Sequence, residues 1–294
     1  MKKLIRLTAL LLVITSLLAF DFPGLNKPGK KTVEGKEIPL ITLTKSNTVV
    51  FRGAVTGESV TEVQKKIFKL SSANKFQDTI YLVLDTPGGD VVSGQEFITS
   101  LKALPQEIKT ITNFAASMGF IMAQSLGERL ILPHGTLMSH RARGSVSGQI
   151  PGELNSRVEY WTRRMENIEK ECADRMKLSV NDYKNLIVNE YWVDGQDAVN
   201  ANAADKVVLA KCDSSMITGT NIETVRTLFG SVRVTWSDCP LITYPLDVDF
   251  SRIFDYTSTA DRKMVQDVIH TMIYKKQEFI HKYLNTGIYL NYVK

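Results

Sequence analysis

Cysteine is scarce in this chain: 294 residues carry three, Cys172, Cys212 and Cys239. No two form a Cys-x-x-Cys pair and none clusters with histidine at ligand spacing, so no metal site is indicated and no cofactor is expected. Histidine is hardly commoner, with His134, His140, His270 and His281. There is no low-complexity tract and no internal repeat, which argues against a disordered or solenoid protein. A concentrated basic stripe is also missing. The formal charge is +5, but three of the positive groups (Lys2, Lys3 and Arg6) crowd the N-terminus, so nucleic acid is not an expected partner.

Long apolar runs are absent save one, from Leu7 to Phe20, behind the basic start Met1-Lys-Lys-Leu-Ile-Arg6. A charged start and a run too short for an ordinary membrane span form a secretory signal or an N-terminal anchor over residues 1–20. A cut after Ala19 would put Leu17 where small residues are preferred, so both forms stay open. Either predicts an exported protein: periplasmic, secreted, or anchored so that its N-terminus contacts the membrane. Export permits a disulfide, and Cys212 with Cys239 is the best-placed pair, because both fall in the loop-rich stretch after the main domain. Cys172 lies on an apolar helix face and reads as a buried thiol.

What is present is an ordinary globular composition, 44% apolar, on a chain long enough for one good core and a smaller appendage. Residues 21–37, with Pro23, Gly24, Pro28 and Gly29, read as a flexible linker, and regular structure is predicted from near Ile38. Thr48–Arg52 reads as a strand, 58–71 as a helix, and Ile80–Leu84 as a strand covered on both faces. A helix over 92–104, a strand over 108–112 and another over 129–132 follow, an alternation that predicts an α/β domain of stacked βαβ units over residues 38–210. His134 and Gly135 are assigned to a turn. The clearest helix spans 153–177, where Leu154, Val158, Trp161, Met165, Ile168, Cys172 and Met176 repeat every three or four residues. So narrow a stripe on a charged helix fits a projecting element that packs on a partner, or a core helix. Residues 211–294 form a C-terminal extension, loop-rich with a strand near Val232–Trp236. It ends in a long basic amphipathic helix over 258–284.

Three features bear on chemistry. Ser117 follows Ala115 and Ala116 and stands at a helix start, where free N–H groups and the helix dipole favour a developing oxyanion. Pro87-Gly88-Gly89 follows a buried strand, and its consecutive glycines allow positive φ and expose amide groups to a ligand. His140 ends Leu137-Met-Ser-His140, an apolar lead that suits an imidazole held at a strand end. Each alone also fits a structural turn or an exposed histidine.

In order and at these intervals, Ile80-Tyr-Leu-Val-Leu84, Pro87-Gly88-Gly89, Ala115-Ala-Ser-Met-Gly119 and Leu137-Met-Ser-His140 resemble the proteolytic subunit of Clp proteases, as does the stretch Trp192–Val207. The resemblance runs from about Ile41 to Val208. It implies a crotonase-like α/β fold with a handle helix at 153–177 used to assemble a homo-oligomeric ring. It further implies a serine endopeptidase acting on polypeptides, with Ser117 as nucleophile, His140 as base, and the amides of Gly89 and Met118 as oxyanion donors. Ungapped alignment of the segment ending in Ala204-Asp-Lys-Val207 puts Glu190 where that family has its aspartate, with Asp194 as the alternative acid. An exported protein has no ATP around it, so the ATPase partner usual for such enzymes does not fit. Two other readings remain open: a signal-peptide-peptidase type with a lysine base, and a catalytically silent ring-forming scaffold. An acyl-CoA hydratase or isomerase on the same fold is a third.

Overall fold

The computed structural model describes residues 32–33, 36–75, 78–227, 230–252 and 263. The signal segment 1–20, most of the linker, and all but residue 263 of the C-terminal helix read over 258–284, including His270 and His281, lie outside the described residues. The chain divides into two units, Met1–Ile38 and Pro39–Lys294. Within the first, β1 (Thr32–Val33) pairs antiparallel with β2 (Lys36–Glu37), a short ribbon inside the stretch read as linker.

The second unit opens with β3 (Leu40–Leu43), β4 (Thr48–Arg52), α1 (Gly57–Ala73), β5 (Ile80–Thr86), α2 (Val91–Lys102) and β6 (Ile108–Ala116). It continues with α3 (Met118–Ser125), β7 (Arg129–Ser139), α4 (Gly152–Met176), α5 (Val180–Leu186), β8 (Tyr191–Asp194), α6 (Gly195–Asn200), β9 (Lys206–Val207) and β10 (Leu209–Cys212). Strands β4, β5, β6 and β7 lie side by side and parallel; β8 adds antiparallel to β7, and β9 pairs with the start of β7. This is the expected α/β architecture of stacked βαβ units.

Local chemistry explains the boundaries. Thr56 caps α1 through a reciprocal bond with Ser59, and Asp90 caps α2 by accepting from the Ser93 amide at 2.7 Å. Each cap is worth about 1 kcal/mol. Both faces of the sheet are covered, as its apolar run predicted. On one, Phe51 meets Phe97 of α2 edge-on with centroids 5.3 Å apart. On the other, Val83 and Ile111 pack with Leu43, Val208, Cys212, Met216 and Cys239.

Two readings need correction. His134 and Gly135 lie within β7, which runs through Pro133 to Ser139, and not in a turn between elements. Ile131 pairs with Thr112 and Thr136 with Phe114, so residues 132–135 bulge opposite Asn113 before the pairing resumes. The extension is also less loop-rich than its sequence suggests. After α7 (Ser214–Ile217), β11 (Thr220–Thr227), β12 (Gly230–Ser237) and β13 (Asp247–Asp249) form an antiparallel sheet. Cys212 and Cys239 are disulfide-bonded with Cα atoms 5.8 Å apart, as the sequence proposed, while Cys172 is a buried free thiol.

Helix α4 is divided along its length. Its C-terminal half buries Ile168, Cys172, Ala173 and Met176, and ends on Lys177 in the left-handed conformation. Its N-terminal half leaves the same stripe uncovered: Leu154 and Trp161 are half-buried and Val158 is 45% exposed. The helix is therefore both a core helix and a projecting one. Arg129, only 5% exposed, fixes its buried end. Its guanidinium donates to Asp205, to Gln124 Oε1 at 2.6 Å, and to the carbonyls of Asn202 at 2.8 Å and Arg175 at 3.2 Å.

Candidate active site

The site forms where β6 and β7 end. Ala116 pairs with Met138, and the Ser117 amide donates to the Met138 carbonyl at 2.8 Å. Parallel neighbours lie about 4.8 Å apart, so the residues leaving the two strands face one another. Ser117 takes φ 55° and ψ −116°, a sharp turn that a non-glycine residue adopts only when its surroundings impose it, and α3 starts at the next residue. The turn aims its hydroxyl at His140: Ser117 Oγ and His140 Nε2 are 2.8 Å apart.

The glycine turn lies against this elbow. Gly88 (φ 86°) has no room for a Cβ, which would sit 2.5 Å from the Ala116 carbonyl and 2.6 Å from the Met118 amide nitrogen. Gly89 (φ 150°) is bridged to Val55: the Val55 amide donates to the Gly88 carbonyl at 2.8 Å, and the Asp90 amide to the Val55 carbonyl at 2.9 Å. Among the described residues, neither the Gly89 amide nor the Met118 amide is spent on a protein acceptor. These are the two amides the sequence singled out. Val55 was missed, because a single valine beyond a strand end carries no signal in sequence.

The acid is arranged differently from the expectation. Tyr191 pairs with Ser139, which brings Glu190 alongside His140. The side chain is engaged elsewhere: Oε2 accepts from Trp192 Nε1 at 3.1 Å, and Oε1 lies 3.7 Å from the Arg143 guanidinium. His140 Nδ1 is buried and has no hydrogen-bond partner. Glu190 is thus beside the imidazole without a hydrogen bond to it, on a backbone at φ 102°. Asp194 pairs across from Thr136, at the far end of β8, and the structure does not bring it to His140. Neither Trp192 nor Arg143 was foreseen; an indole two residues past a candidate acid was the available clue.

Burial chiefly, then the positive charge of Arg143, push the His140 pKa below its ordinary 6.5, while the Glu190 charge works the other way. Behind the histidine, the Ser139 hydroxyl bonds the Tyr183 hydroxyl at 2.8 Å, which ties the end of β7 to α5. Cys172 beside Tyr183 is pushed up to about 12 by burial and stays an unreactive thiol. A neutral imidazole 2.8 Å from a strained serine hydroxyl, with two free amides at the neighbouring turns, is an arrangement for nucleophilic attack on a carbonyl.

Residues 35–211 match the family model of the Clp protease. Among curated proteins, the chain is similar to the ATP-dependent Clp protease proteolytic subunits of Streptococcus sanguinis (strain SK36), at 26% identity, and of Streptococcus mutans serotype c (strain ATCC 700610 / UA159), at 23%. Both alignments span 170 residues, 56% of this chain and 86% of the relative. The matched stretch contains the serine elbow, the glycine turn, the histidine and α4, and with more than half its length matched the chain belongs to the Clp protease family as a serine-type peptidase.

Proposed function

We propose that this protein is an exported serine endopeptidase that cleaves unfolded or short polypeptides through an acyl-enzyme. The observation that carries the mechanism is the 2.8 Å contact between Ser117 Oγ and His140 Nε2. Ser117 Oγ attacks the scissile carbonyl carbon as His140 Nε2 takes its proton. The carbonyl oxygen, now negative, is received by the amides of Gly89 and Met118. His140 returns the proton to the departing amine, and water, deprotonated by the same nitrogen, releases the acyl group. Glu190 acts once it turns from Trp192 to His140 Nδ1, where its charge balances the imidazolium.

Export is supported by the basic and apolar start of the chain. The relatives are named as ATP-dependent; an exported enzyme without ATP acts on chains that need no unfolding or are delivered by another partner. Assembly into a homo-oligomeric ring through α4 is supported by its uncovered N-terminal stripe, where Val158 is 45% exposed. Membrane contact would come from the N-terminus. A histidine at the serine hydroxyl favours this chemistry over a lysine-based one. The silent-scaffold reading has one observation in its favour, the engagement of Glu190 away from His140.

The test is labelling of the purified protein with a fluorophosphonate. The wild type should be labelled, and Ser117→Ala and His140→Ala should not. A folded wild type that takes up no probe would leave the scaffold reading in the lead. The pH profile adds a second check. The base must be neutral, and burial and Arg143 keep it neutral to lower pH, so the acid limb of kcat/KM should fall below 6.5. Arg143→Gln removes one cause of the lowering and should move that limb upward in pH. A limb that stays in place would mean Arg143 does not act on the imidazole.

A further inference from the structure

Residues beyond 211 lie outside the family match, yet one piece of them reaches the sheet beneath the glycine turn. Cys239, Leu241 and Ile242 pack on Leu43, Val83 and Ile111, and the disulfide to Cys212 pins this strap in place. Between the anchored residues, the Pro240 carbonyl accepts from Arg52 Nη2 at 2.7 Å. The same guanidinium donates through Nε to Asp85 Oδ2 at 2.9 Å. Asp85 Oδ1 accepts from Asn113 Nδ2 at 3.2 Å, and Asn113 Oδ1 is 3.0 Å from His134 Nε2. Arg52 and Asp85 are mostly buried, with side chains 19% and 6% exposed.

We propose that Arg52 is a positioning residue through which the disulfide-pinned strap holds the glycine turn, and with it the Gly89 amide, in the geometry that receives the oxyanion. The inference rests on the role given to Gly89 above. Both backbone supports of the turn start at the Arg52–Asp85 pair. Asp85 opens the run Asp85-Thr86-Pro87-Gly88-Gly89, in which the Gly88 amide donates to Thr86 Oγ1 at 3.1 Å. Arg52 is followed by Gly53, whose amide bonds the Asp85 carbonyl at 3.0 Å and whose φ of 85° turns the chain toward Val55. Val55 then grips Gly88 and Asp90 on either side of Gly89, so close that a Cβ on Gly89 would lie 3.0 Å from the Val55 nitrogen. The planar, multi-donor head of arginine serves a carboxylate and a carbonyl at once; an ammonium group does so only with a looser fit.

An oxyanion donor acts in the transition state, and small misplacements are costly, up to about a hundredfold for 1 Å. Arg52→Met should therefore lower kcat on a short peptide by about tenfold or more while KM moves less than about twofold. Arg52→Lys should recover part of the loss. The Cys212→Ser/Cys239→Ser variant, and wild type treated with thiol, should show the same fall, and adding Arg52→Met should lower kcat little further. A peptide aldehyde, whose hemiacetal oxygen takes the oxyanion's place, should lose affinity in the same proportion as kcat. Fluorophosphonate labelling of wild type separates the two ideas: an unlabelled wild type sinks the peptidase mechanism itself. With a labelled wild type, a folded strap-free variant that keeps full kcat overturns the proposal. So does a kcat loss that leaves aldehyde affinity intact. If Arg52→Met does not fold, the double serine variant and the reduced wild type decide the matter by the same two readings.

Discussion

The Glu190→Gln variant is expected to lose about four orders of magnitude in kcat, with KM little changed. The size of the effect follows from the charge that His140 acquires when it takes the serine proton. An imidazolium in a half-buried site needs an anion at Nδ1, and that nitrogen now has no partner. A glutamine supplies no charge there, and its amide end offers a donor where the ring needs an acceptor. In the structure the carboxylate is held by the Trp192 indole at 3.1 Å and by Arg143, so it must leave the indole to act. Removing the indole donor while keeping the ring that packs on Phe114 isolates that step. Trp192→Phe should keep the fold and should not cause the loss seen with glutamine. Steady-state rates on an unstructured peptide decide it. A Glu190→Gln enzyme as fast as wild type would mean that Ser117 and His140 work as a dyad.

Arg129→Met should destabilise the protein by about 1–3 kcal/mol, because it strips the buried Gln124 side chain and two carbonyls of their donor. Burial pushes the Asp205 pKa up, yet bonds from the Arg129 side chain and backbone outweigh it and hold the carboxyl below its ordinary range. Without the guanidinium, Asp205 keeps the Arg129 backbone amide at 2.8 Å and Arg175 at 3.9 Å, while Gln124 and two carbonyls lose a donor. The node joins α3, the start of β7, the end of α4 and the loop after α6, so the melting temperature should drop by about 5 °C. A drop of only a degree or two would mean that water replaces the guanidinium at no cost.

The parts legible in sequence were those set by local pattern. Thr48–Arg52 was read with the bounds it has, because β-branched and apolar residues leave little else for it to form. The stripe on α4 was legible, but not its division into covered and uncovered halves, which depends on where the sheet ends. The course of β7 through Pro133, His134 and Gly135 was hidden, since those residues signal a turn and only pairing with β6 on both sides of the bulge makes them part of a strand. Ser117 and His140 could be paired through their family resemblance. The posture of Glu190 could not, because it is decided by Trp192 and Arg143. The extension sheet was obscured by short strands of mixed polarity, although the two cysteines that pin the strap were visible.

The backbone angle at Ser117 also limits which chemistries this lineage can reach. A residue at φ 55° tolerates a side chain with a single atom on Cβ far better than one branched there. Cysteine and alanine fit the position and threonine does not. The first exchange trades an oxygen nucleophile for sulfur, and the second retires the nucleophile altogether, each while leaving the elbow in place. One codon therefore separates a hydrolase from an inert copy with the same shape, and divergence within this lineage need not pass through an unfolded intermediate.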